Sequence, residues 1–313
     1  MELFKSRDFS SFFSDTFDFV KFNGKHFFKN YLIINGIFLL ILMTFAYFFS
    51  KFYANLMTST IYGGGQSEVE NFIDNYGPTA IVLLFVFIIF AIIAAVVNYS
   101  FTPIYFKLYE ENGGTSFTSK EVFNKLKANF GKLIIYVLVS IFLLAIPAII
   151  ATSIGVFIVA ITIVGMLLIP AVIAIPMLFF HSTLMEYIRG ERGIFDSIGY
   201  SFSVLGNKFM HAIGCLGILV LMYYVVQVGF SLIQTLFTGA GIYTMTPEAQ
   251  MDIADSSTIM IIILLVSYII SFVIQTFCGL ILQINQSLIF YTYKEETEHI
   301  NTSSVIDQIG SGE

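Results

Sequence analysis

The sequence predicts an all-α fold: a polytopic membrane helix bundle of six transmembrane helices, with three amphipathic helices on its basic side. Three observations predict it. Of the 313 residues, 57% are hydrophobic and only 12% charged, against about 45–50% and about 25% in soluble domains. The runs 31–50, 80–97, 133–185 and 258–274 contain no Asp, Glu, Lys or Arg, and one helical crossing needs about 20 such residues. Basic residues gather in alternate connecting segments, as they do in chains that cross a membrane repeatedly.

The first span is predicted over 31–52 and the second over 78–106. Pro78 suits a first helical turn, where its missing N–H would have no partner anyway, and Pro103 distorts the far end. The apolar stretch 133–188 is too long for one crossing and must fold back. A turn at 153–155 divides it into spans over 133–152 and 156–188, the latter kinked by Pro170 and Pro176. The fifth span covers 211–237. A loop with Gly239, Gly241, Pro247, Glu248, Asp252 and Asp255 precedes the sixth, over 258–291. Residues 1–293 read as a single transmembrane domain, and 294–313 as a disordered cytoplasmic tail.

Orientation follows from the basic residues, which are retained in the cytoplasm during insertion. Fourteen of the fifteen fall in the N-terminal segment, the 107–132 and 189–208 segments and the tail, leaving Lys51 alone on the other side. Both termini are therefore expected in the cytoplasm. The N-terminal thirty residues mix acids and lysines and have no short apolar core ending in a cleavage site, so the first span reads as retained. The net charge of -6, with no dense basic run, points away from nucleic acid as a partner. Membrane lipids are the expected partners. Cys215 and Cys278 lie in apolar stretches and read as small packing residues.

Each odd-numbered span is preceded by an amphipathic stretch on the basic side. The first sets Phe9, Phe13, Phe17 and Val20 on one helical face against Ser10, Ser14, Asp18, Lys21 and Lys25. The second opens with Thr118 and Glu121 in capping-box spacing and aligns Val122, Phe123, Leu126, Phe130 and Leu133. The third aligns Ile194, Phe195, Ile198, Phe202, Leu205 and Phe209. Two readings fit. In one, Phe9, Phe13, Phe17, Phe123, Phe130, Phe195 and Phe202 are interfacial anchors with lysines toward anionic lipid. In the other, the three helices form a docking platform for a membrane-protein complex.

The span centres carry no ionisable group, which proton transfer, metal binding and ion coupling all require. No catalytic residue, cofactor or metal is expected. His181 and Glu186 stand about one helical turn apart near the end of the fourth span, where a glutamate beside Arg189 and Arg192 reads first as a paired boundary residue. Gly63-Gly64-Gly65 lacks the Lys and Ser or Thr of a phosphate loop, and no G-x-S-x-G elbow occurs. The informative polar residues are amides. Asn98, Gln227, Gln234, Gln275, Gln283 and Gln286, with His181 and Glu186, either hold the bundle together by inter-helix hydrogen bonds or line a polar cavity.

The motifs Arg7-Asp8-Phe9 with Asp15-Thr16-Phe17, the stretch ERGIFDSIGYSFSVLGNKF at 191–209, and Tyr291-Thr292-Tyr293 resemble a bacterial family. This is the membrane domain found beside glycerophosphodiester phosphodiesterases, with its stand-alone uncharacterised relatives. The resemblance implies a membrane fold in the bacterial cytoplasmic (inner) membrane. It carries over no catalytic residue, because the phosphodiesterase is a separate barrel of about 250 residues. The expectation is a non-enzymatic integral membrane scaffold or accessory subunit. The alternative is a passive transporter or lipid translocator with a polar path near the fourth to sixth spans.

Overall fold

The structure, a computed structural model, describes residues 1–61, 65–207, 209–244 and 253–301, and every regular element among them is a helix. In chain order these are α1 (Phe9–Ile61), α2 (Gly65–Glu111), α3 (Ser119–Ala128), α4 (Phe130–Val139) and, after a π-helical turn at Ser140–Leu144, α5 (Ala145–Ala160). There follow α6 (Ile163–Met166), α7 (Ile169–Arg189), α8 (Ile194–Gly206), α9 (Phe209–Thr244) and α10 (Ile253–Glu298). Six segments are long and apolar enough to cross a membrane: Phe9–Phe48, Leu84–Glu111, Phe130–Ala160, Ile163–Arg189, Phe209–Phe237 and Ile261–Glu298. The chain is an all-α, multi-pass helical protein.

Backbone contacts divide it into two units. The first comprises Met1–Ile34, Val96–Tyr223 and Cys278–Glu313; the second comprises Asn35–Ala95 and Tyr224–Phe277. In the second unit α1 meets α2 through Phe38 on Phe90 and Phe45 on Phe87. Its outward positions are apolar, including Ile81, Leu84, Phe85, Val225 and Leu232, which a lipid solvent tolerates because its tails are as apolar as leucine.

The first unit holds an aromatic core. Phe19 on α1 stacks on Phe106 of α2 at 4.9 Å, and Phe27 meets Phe101 and Tyr105 edge-on at 5.2 and 4.8 Å. This packing explains why α1 runs unbroken through Gly24-Lys25, where the pattern suggested a surface helix meeting a span. The face that packs is Phe12, Thr16, Phe19, Gly24 and Phe27, while Phe9 and Phe17 are exposed.

The other two stretches preceding spans are separate helices. Thr118 caps α3, its side chain accepting from Glu121 N while the Glu121 carboxylate accepts from Thr118 N at 2.6 Å. The break into α4 falls at Asn129, whose Nδ2 donates to Lys125 O at 2.8 Å. The π-helical turn lies just before Pro147, whose ring crowds the carbonyl four residues back and which has no N–H to offer it.

The fold-back departs from expectation. Residues 153–155 are helical, and the chain breaks instead around Ile161–Thr162 and Leu167–Leu168. Gly155 serves close approach rather than a turn, since a Cβ there would lie 2.9 Å from Val172 Cγ1. Thr162 is the true signal: its extended backbone starts α6 and its side chain accepts from Gly165 N at 2.9 Å. At the other end of the chain α10 continues to Glu298 with Lys294 fully buried, so residues 294–298 are ordered helix rather than tail. The remainder of the expected tail, 302–313, lies outside the described residues, as does the acidic stretch 245–252.

Phe19 is fully buried and Phe22 is 72% exposed. Phe19→Ala is expected to destabilise the detergent-solubilised protein by about 3–5 kcal/mol, and Phe22→Ala to leave unfolding unchanged. Denaturant titration followed by circular dichroism measures both, and equal effects would refute the aromatic core.

Candidate functional site: a buried ionic lattice

The first unit gathers its charges where α2, α7 and α10 end. Lys294 on α10 is 0% exposed, and its Nζ lies 3.5 Å from Glu186 Oε2, 2.9 Å from Glu191 Oε2 and 2.9 Å from Glu298 Oε2. Glu186 on α7 is equally buried and faces Arg192 Nε at 3.2 Å. Arg192 reaches Glu298 at 3.4 Å and lies 4.3 Å over the Tyr200 ring. Arg189 pairs with Glu110 of α2 and, at 2.9 Å, with Glu191. Tyr291 donates to Glu110 Oε2 at 2.9 Å. Four carboxylates and three cations thus share one lattice, and most of the carboxylates serve more than one partner.

Local sequence explains the arrangement. Lys294 and Glu298 are one turn apart on α10. Glu186 and Arg189 share a face of α7, and Gly190, at φ 86°, turns the chain sharply so that Glu191 and Arg192 come back beside them. The α7 terminus is closed by lysines, as expected for carbonyls lacking helical partners. Lys107 Nζ donates to Ile188 O and Arg189 O, and Lys132 Nζ donates to Tyr187 O.

A second hub sits on the N-terminal strap. Arg7 is 1% exposed; its Nε donates to Asp15 at 2.8 Å, Nη1 to Leu3 O and Thr292 Oγ1, and Nη2 to Glu2 O. Burial lowers the Arg7 pKa while Asp15 counters it. Burial likewise pushes the Glu191 carboxyl up, but its hydrogen bonds to Lys294 and Arg189 outweigh this and hold it below the ordinary range.

Of the residues expected to line a polar cavity, five belong to the first unit. Asn98 donates to the Tyr31 hydroxyl. His181 Nε2 lies 2.9 Å from Ser287 Oγ and its ring sits edge-on to Tyr99, while buried Nδ1 has no hydrogen-bond partner. Glu186 is in the ionic lattice, Gln286 is buried, and Gln283 Oε1 is buried without a partner. The other three belong to the second unit: Gln227 and Gln234 are half-buried and Gln275 is exposed, donating to Ser271 Oγ at 3.2 Å.

The anchor phenylalanines Phe123, Phe130, Phe195 and Phe202 are exposed at 54%, 42%, 67% and 63%, and Phe13 is half-buried. In α8 the buried side is Ser197, Tyr200, Ser201 and Val204, so its hydroxyls point inward and its phenylalanines outward. Among the described residues no three His, Cys, Asp or Glu converge as metal ligands. No family model, curated protein or solved structure matches the chain.

Sequence reasoning gave no role to Glu110, Lys107, Lys132 or Lys294 and met Arg7 only in a family motif, treating the basic residues otherwise as markers of topology. Only the i, i+4 spacing of Lys294 and Glu298 offered a local signal.

Lys294→Met leaves Glu186 buried without its ammonium and is expected to cost about 3–5 kcal/mol. Adding Glu186→Gln should restore part of that loss, which a double-mutant cycle by thermal melting would measure; strict additivity would refute the coupling.

The depressed Glu191 carboxyl contributes stability above its unfolded pKa of about 4.3, and loses it as pH falls through the lower folded value. Melting temperature should therefore fall below about pH 4, with a shallower fall in Glu191→Gln. Identical acid limbs would remove this assignment.

Proposed function

We propose that the protein is a non-enzymatic integral membrane scaffold or accessory subunit of a bacterial cytoplasmic membrane, with both termini cytoplasmic. The observation that carries this reading is the ionic lattice. Its charges are spent on one another and on helix ends, tying α2, α7 and α10 to the α7–α8 turn. Such a lattice suits a rigid support rather than a reacting centre, because a buried charge that moved would leave its partner uncompensated. The count of basic residues on each side supports the orientation, and the resemblance to the phosphodiesterase-associated membrane domains supports the bacterial setting.

On this reading α8 presents Phe195 and Phe202 to a neighbouring membrane protein. Benzophenone crosslinkers placed at these two positions in native membranes should yield a discrete protein adduct, and adducts to lipid alone would count against the scaffold. A second reading, a passive transporter or lipid translocator, is favoured by His181 Nδ1, Gln283 Oε1 and Gln227 Nε2, which are buried without partners and would each bind a water, Gln283 Oε1 accepting from it and Gln227 Nε2 donating to it. Purified protein in vesicles decides between them. Solute or labelled-lipid flux above protein-free vesicles, lost in Gln283→Leu, would establish the transporter and overturn the scaffold.

A further inference from the structure

Two lysines from different helices meet the end of α7. Lys107 Nζ, on α2, donates to Ile188 O at 2.7 Å and Arg189 O at 3.0 Å. Lys132 Nζ, on α4, donates to Tyr187 O at 3.1 Å and lies 5.4 Å from the Tyr187 ring centre. Gly190 leaves it room, since a Cβ there would come within 2.8 Å of Lys132 Nζ.

Helix capping accounts for part of this arrangement, because a helix C-terminus carries roughly half a negative charge. Two full positive charges exceed it. The charges acting most strongly on Lys107 are Lys125, Lys132 and Arg189 with a single carboxylate, Glu111, and Glu111 is already held by Lys125 at 2.7 Å. Each ammonium has three donors; Lys107 spends two on carbonyls and Lys132 one, so three N–H groups remain between them. Both side chains are half-buried, hence reachable. On the helix that carries Lys132, Phe130, Ile134 and Ile135 are exposed, which sets the lysines at the rim where the span begins.

We propose that Lys107 and Lys132 form a binding site for a phosphate oxyanion at the rim between α2, α4 and α7. Two sources carry that chemistry, the headgroup of an anionic lipid and free phosphate. The exposed Phe130 and Ile134 beside Lys132 offer an acyl chain a surface that free phosphate would leave unused. The site is independent of the scaffold reading.

Native mass spectrometry of the full chain in detergent, with phosphatidylglycerol, phosphatidylcholine or inorganic phosphate added, tests it. Phosphatidylglycerol should bind more tightly than phosphatidylcholine, with about a fivefold loss in Lys132→Gln and about a thirtyfold loss when Lys107→Gln is added. Lys132→Arg should retain binding, and Lys127→Gln, an equal charge loss on the exposed side of α3, should change nothing. Should the double variant fail to fold, Lys132→Gln alone carries the test. Inorganic phosphate that binds by itself and displaces the lipid would sustain the oxyanion site and assign it to the soluble ion. Equal binding of the two lipids with no phosphate effect, or equal losses in Lys127→Gln and Lys132→Gln, would overturn it.

Discussion

The buried ammonium of Lys294 is the constraint around which the first unit is arranged. A charge taken fully out of water costs several kcal/mol unless it is closely matched, and Lys294 is matched by three carboxylates within 3.5 Å. One of them, Glu186, is itself fully buried and requires Arg192 in turn. Glu191 requires Arg189, and Arg189 requires Glu110 on α2. Satisfying one cation therefore dictates where α2, α7 and α10 end and where the α7–α8 turn must lie. Arg192 and Lys294 both lie over the ring of Tyr200, which brings α8 into the same arrangement.

The hydroxyl-lined inner side of α8 follows from the same physics. Between helices surrounded by lipid, apolar contact brings little net gain, so hydrogen bonds and close packing set the interface. Ser201 receives a hydrogen bond from Thr183 on α7 at 2.9 Å, both residues being fully buried, and α7 and α8 pack closely along their length. Phe195 stays outward, and Phe202, though 63% exposed, lays its ring against Phe179 of α7 at 4.8 Å. In the aromatic core of α1 and α2 the phenylalanines are instead fully buried, because the neighbouring helix supplies several rings.

How much of this was legible depends on which force set each feature. The six apolar segments are written in composition, and the α3 capping box in the spacing of Thr118 and Glu121, because both arise within a few residues of chain. The fold-back was misplaced because Ser153 and Gly155 have turn-forming chemistry, yet both are helical and Gly155 lies close to Val172 of α7; the effective signal, Thr162 ahead of Gly165, lay inside an apolar run. The first amphipathic stretch and the first span form one continuous helix because α2 supplies Tyr105 and Phe106. Counting lysines and arginines by side treated them as solvated markers, and so concealed Arg7 and Lys294, which are buried by partners about 285 and about 108 residues away in sequence. Of the candidate site, Glu186 beside Arg192 was readable as a boundary pair, whereas Lys294 came only from tertiary structure.

The lattice also limits how the protein can move. Separating α7 from α10 would part Lys294 from Glu186 and Glu191, leaving Glu186 only Arg192 and Lys294 only Glu298, at a cost in free energy because Lys294 and Glu186 are fully buried. A cycle that opened this end of the bundle would need a ligand whose binding free energy differed between the two states by at least that amount. His181, Ser287 and Gln283 lie on the same two helices, joined there by the His181–Ser287 contact at 2.9 Å. A structural role asks no such work of the lattice, since a support is improved by every ion pair that resists motion. That asymmetry is the physical ground for favouring a scaffold over a carrier that operates through α7 and α10.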